Sequence, residues 1–138
     1  MGYTNGNYNK NVKDYGDTDF YDTIAGIDYD DEPNINEFDA IAEVIPDFSE
    51  KYSGKKFFVC MLSGYSGEEH LGTTDYKEYL NAWYDKVLSQ LPEGMPRVLA
   101  TDIYPCHDSQ NYGYEYINAL WLRSLAYMGE MKIKHPEL

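Results

Sequence analysis

Basic residues are scarce: 11 Lys and Arg stand against 24 Asp and Glu, a formal charge of −13 in 138 residues. The Lys and Arg clusters that neutralise phosphates are missing, which excludes nucleic acid as an expected partner and an anionic membrane surface with it. No run of roughly 18 apolar residues occurs, so no segment is expected to span a bilayer. The stretch from Met1 to Tyr8 lacks the apolar centre of a signal peptide, and the compartment stays undefined. Cysteine is reduced to Cys60 and Cys106, too few for a disulfide framework and at no zinc spacing. They read as unpaired buried thiols, with a disulfide between neighbouring strand ends left open. His70, His107 and His135 are scattered without metal or triad spacing, so neither a metal nor a cofactor is expected. The loop Ser63-Gly64-Tyr65-Ser66-Gly67 has no Gly-Lys-Ser or Gly-Lys-Thr after it, which removes a phosphate loop.

What is present in quantity is tyrosine, 15 of them, with two tryptophans. Aromatic faces stack on the apolar faces of sugar rings and the phenol adds a hydrogen bond, although core packing uses the same residues. The acidic balance suits a neutral partner such as a carbohydrate.

A chain of this length implies one domain able to bury its own core. Residues 1–22, rich in Asn, Gly, Tyr and Asp, show neither period and read as an irregular N-terminal arm. Residues 23–138 read as three consecutive βα units. The first strand is predicted over Ile24–Tyr29, and a helix capped by Asn34 or Asn36 follows, with Ile35, Phe38, Ile41, Ala42, Ile45 and Phe48 on one stripe. Pro46 predicts a kink or an end near Val44 or Ile45. The second strand, Phe57–Leu62, is six apolar residues in a row, as a strand covered on both faces needs.

A helix opening at Asp75, with Glu78 completing a capping pair, carries Tyr76, Tyr79, Leu80, Trp83, Val87 and Leu91 before Pro92 ends it. Val98–Tyr104 is the third strand. A third helix bears Ile117, Leu120, Trp121, Leu125 and Met128, with Gly129 at its C-terminal cap. The tail from Met131 to Leu138 could begin another strand. The fold class is therefore α/β: three βα units on a parallel sheet, a partial TIM barrel.

Chemistry gathers at the carboxyl ends of such strands. Asp30-Asp31-Glu32-Pro33 places an acid among like charges, which raise its pKa and fit it to protonate a leaving oxygen. The same tetrapeptide could be a solvated loop entering a helix, where acids favour the N-terminal dipole. Asp102 and Tyr104, two residues apart on a strand, share a face and could both hydrogen-bond a sugar hydroxyl. Tyr65 is a candidate for stacking on a sugar.

Taken in order, Asp31-Glu32-Pro33, Phe58-Val59-Cys60-Met61-Leu62-Ser63-Gly64-Tyr65, Leu71-Gly72-Thr73 and Asp102-Ile103-Tyr104-Pro105 resemble strands four to six of a (β/α)8-barrel glycoside hydrolase. The pattern, over roughly residues 20 to 130, is similar to bacterial β-galactosidase-like retaining enzymes. The resemblance implies Glu32 as general acid/base and Asp31, Tyr65, Asp102 and Tyr104 as substrate-side groups. It departs at Cys60, where the family has Asn, at Ile103, where it has His, and at Pro46, which breaks a helix. A full barrel takes ~250 residues, so the resemblance implies a fragment whose nucleophile would lie beyond Leu138 and which alone hydrolyses little. The alternative is a non-catalytic α/β module that binds carbohydrate or protein. Open sheet edges also allow self-association.

Overall fold

Three strands form one parallel sheet in the order β1-β2-β3: β1 is Gly26–Asp31, β2 is Lys56–Met61 and β3 is Ala100–Thr101. They belong to a computed structural model that describes residues 21–102 and 114–138. The sheet is mixed with helices in the expected βα succession and is not closed into a barrel. Of the expected arm, Tyr21–Thr23 forms a single 3-10 turn, and residues 1–20 lie outside the described part.

β1 begins two residues later than predicted and runs on into the acidic segment. Gly26 pairs with Lys56, where a Cβ at position 26 would stand 2.8 Å from the Lys56 Cβ. A larger residue could not enter the ladder there. The next element is a 3-10 turn, Ile35–Glu37, with the Asn34 side chain accepting from the Asn36 amide and the Glu37 carboxylate accepting from the Asn34 amide. Helix α1, Phe38–Ala42, ends early, and α2, Ile45–Lys51, restarts with Pro46 in its first turn. A proline is tolerated there because the first-turn amides have no helical partner.

After β2 comes a helix that the sequence did not announce, α3, Glu68–Leu71. Helix α4 is Tyr76–Lys86, capped by the Asp75 carboxylate on the Lys77 amide. Glu78 does not close a capping box; its carboxylate accepts the Thr73 hydroxyl. α4 stops short of Leu91, and a 3-10 turn, Leu88–Gln90, takes over.

β3 starts two residues later than the predicted Val98–Tyr104, of which Ile103 and Tyr104 lie outside the described residues. Arg97 makes an isolated bridge to Phe57 while its guanidinium donates to the Leu88 and Leu91 carbonyls. The bridge ties Arg97 to the sheet while its side chain ties it to the 3-10 turn. Helix α5, Tyr114–Lys134, passes straight through Gly129. Helix replaces the expected cap and runs to Lys134, with a turn in place of the rest of the expected strand, because Met131 is buried in the core two residues beyond the glycine. That burial outweighs the ~1 kcal/mol that glycine costs a helix.

The core lies on one face of the sheet. Ile27, Tyr29, Phe57, Val59 and Met61 are buried there with Phe38, Phe48, Tyr79 and Trp83 of the helices. Phe48 meets Phe57 edge-on at 4.9 Å, and Phe38 meets Trp83 edge-on at 5.1 Å. Alternation sends Asp28, Phe58 and Cys60 to the opposite face, where they are half-buried. β2 is thus covered fully on one face only, not on both.

Candidate active site at the strand ends

A bulge decides which acid faces which strand. Asp28 pairs with Phe58, but Asp31 pairs with Cys60, so β1 carries one residue more than β2 over this span. The extra residue shifts the alternation. Asp31 shares the face of Cys60, while Asp30 is left 6% exposed. Cys60 in turn pairs with Ala100, and Asp102 follows one pleat later, its amide donating to the Met61 carbonyl.

Three elements therefore converge. The Asp31 and Asp102 carboxylates and the Cys60 thiol offer ligand atoms within 4.8 Å of one another. Such a set could hold a divalent cation only after the thiol loses its proton. Burial, reinforced by Asp102, Asp28, Asp31 and Glu32, pushes the Cys60 pKa up to about 12. At neutral pH Cys60 is a protonated thiol beside the Asp31 and Asp102 carboxyls. Beneath it, Asp28 has its pKa raised to about 6, first by burial and then by Asp31, against a lowering contribution from the Cys60 backbone amide. Its Oδ1 is buried without a hydrogen-bond partner.

Glu32 caps this cluster at the exposed rim. Its backbone is left-handed, φ 54°, and it is the one non-glycine residue with positive φ among the described residues. The strain is held by the Glu32 amide donating to the Cys60 carbonyl at 2.7 Å, and such held strain concentrates at functional positions. The carboxyl is raised above its ordinary value by partial desolvation, then by Asp31 and Asp102, with His70 pulling it down.

His70 reaches this neighbourhood through α3. The Asn34 side-chain amide donates to the His70 carbonyl at 2.8 Å, tying α3 to the segment after Glu32. Gly72 closes α3 with φ 75°, and a Cβ there would collide with the Asn34 Oδ1. Sequence reading gave His70 no role. The glycines flanking Glu68–Leu71 were the available signal for the helix that carries it.

Of the candidate residues, Glu32, Asp31 and Asp102 come together. Tyr65 sits in the turn after β2, 41% exposed, on the same end of the sheet. Tyr104 and Cys106 lie outside the described residues. Asp28 and Cys60, which carry the largest electrostatic perturbations of the cluster, were missed as site residues. Asp28 reads as strand interior and Cys60 as a strand-end thiol, and only the register reveals their company.

No protein-family model matches the sequence, and neither do any curated protein or solved structure.

Proposed function

We propose that this chain carries the acid/base part of a glycoside hydrolase site, with Glu32 protonating the glycosidic oxygen and then deprotonating the incoming water. The observation that supports this most directly is the raised Glu32 carboxyl, set beside Asp31 and Asp102 at the carboxyl ends of parallel strands. An acid raised toward the working pH retains its proton until the leaving group needs it. Perturbed carboxyls clustered at strand ends are where such chemistry is expected.

Asp31, one residue before Glu32, and Asp102, two strands across the sheet, would accept hydrogen bonds from sugar hydroxyls. Tyr65 offers an exposed ring on the same side for stacking. Retention of configuration needs a second carboxyl ~5 Å from the acid, and the proposal assigns that nucleophile to none of the described residues.

The leaving group separates this reading from others. In the protein that contains this chain, Glu32→Gln should lower kcat/KM on alkyl or phenyl glycosides by ~10²–10⁴. On dinitrophenyl glycosides, whose leaving group needs no proton, kcat/KM should change little. Equal kcat/KM for parent and variant on the poor leaving groups refutes the assignment.

A further inference from the structure

Two tyrosines of α4 reach past the core to the strand ends. Tyr76 and Tyr79 are buried, with rings stacked at 5.9 Å and 19°. Their hydroxyls do different work. Tyr76 donates to the Leu62 carbonyl at 2.9 Å, beyond the end of β2. Tyr79 donates to the Pro33 carbonyl at 2.7 Å and receives the Leu62 amide at 3.4 Å.

Glu32 is consequently gripped on both sides. Its own amide is bound to the Cys60 carbonyl, and the carbonyl of the next residue is bound to the Tyr79 phenol. A left-handed non-glycine residue persists only when its surroundings over-determine it, and these two bonds supply that determination. Proline at 33 cannot donate an amide bond, so its carbonyl is the nearest handle beyond Glu32.

We propose that Tyr79 is the positioning residue for Glu32: its buried phenol, by holding the Pro33 carbonyl against the end of β2, keeps the Glu32 carboxyl aimed into the cluster at the strand ends. The catalytic meaning of this rests on the glycoside hydrolase reading; the positioning itself does not. The charged and titratable groups around Glu32 are Asp31 on β1, Cys60 on β2, Asp102 after β3, His70 on α3 and Tyr79 on α4. Held among them, the carboxyl stays partly desolvated and near negative charge. Released, it turns to water, while Asp31 remains its neighbour in the chain.

The experiment follows the Glu32 carboxyl by ¹³C NMR titration in the parent chain, in Tyr79→Phe and in Tyr76→Phe. The parent midpoint is expected above the ordinary glutamate value. Tyr79→Phe should move it down toward that value, and Tyr76→Phe, which loses a buried hydroxyl bonded to the Leu62 carbonyl and the Thr101 hydroxyl but to nothing in the Glu32–Pro33 segment, should leave it in place. An unmoved midpoint in folded Tyr79→Phe overturns the proposal, as does an equal movement in Tyr76→Phe.

Should Tyr79→Phe fail to fold, the parent decides. A slowly exchanging Tyr79 hydroxyl proton with nuclear Overhauser contacts to Pro33 supports the clamp, and its absence overturns it. If the midpoint moves as expected while Glu32→Gln leaves hydrolysis untouched, the positioning stands and the glycosidase reading falls.

Discussion

Asp28 is the most direct test of the electrostatics at the strand ends, because its carboxyl is half-buried and its Oδ1 has no partner. A carboxyl moved from 3.8 to about 6 costs the folded state at most about 3 kcal/mol once ionised. Part of the side chain still reaches water, so a cost of ~1–3 kcal/mol is expected. The pH dependence has a definite sign. Below 3.8 folded and unfolded chains both hold the proton, and the site costs nothing. Between 3.8 and about 6 the folded chain holds it more tightly, so stability falls as pH rises. Above about 6 the whole cost is present.

Asp28→Asn removes the charge and keeps nearly the same shape. Urea unfolding of parent and variant should give equal free energies near pH ~3.5 and a variant more stable by ~1–3 kcal/mol near pH ~7.5. Other acids titrate over the same range, but they are common to both chains and cancel in the difference. A difference that does not change with pH would mean that Asp28 is solvated, and the raised value would be wrong. A variant less stable at neutral pH would mean that the ionised carboxylate is held by bonds, the opposite of what the orphaned Oδ1 implies.

Two further outcomes follow from the same geometry. With its pKa pushed up to about 12, Cys60 should react with iodoacetamide near pH ~8 at least ~100-fold more slowly than a free cysteine. Asp102→Asn should narrow that gap, and a parent rate equal to that of glutathione would contradict the buried, anion-flanked thiol. Gly72→Ala should destabilise the chain by more than ~1 kcal/mol, since alanine must adopt a left-handed backbone and its Cβ collides with Asn34. Amide exchange in α3 should accelerate in that variant, whereas unchanged protection would show that α3 is not docked through Asn34.

Legibility in the sequence tracked how local each determinant was. The apolar run at Phe57–Leu62, the Asn34 and Asp75 caps and the break at Pro46 are set by a few neighbouring residues, and each appears in the fold. The start of β3 was less legible, because Arg97 turns toward the distant Leu88 and Leu91 carbonyls just before it. Gly129 was misread as a cap for a similar reason: Met131 packs into a core that the local sequence cannot display. At the site, Glu32, Asp31 and Asp102 were readable as strand-end acids. Asp28 was not, and Cys60 stood out only as a departure from the family's Asn, since the company each keeps exists only across the sheet.

The bulge in β1 ties these observations together. Strict alternation from Asp28 would put Asp30 on the Cys60 face and turn Asp31 toward the helices. One additional residue reverses that, giving Asp31 to the cluster and leaving Asp30 buried. It also delivers Glu32 to the point where its amide meets the Cys60 carbonyl, which an unbulged strand would offer to Asp31 instead. The left-handed turn of Glu32 and the Tyr79 grip on Pro33 then become consequences of the same insertion. A chain arriving one residue long must turn out sharply to enter the next helix. The perturbed acids are therefore produced by register, and a deletion restoring regular pairing would scatter them without removing a single carboxylate.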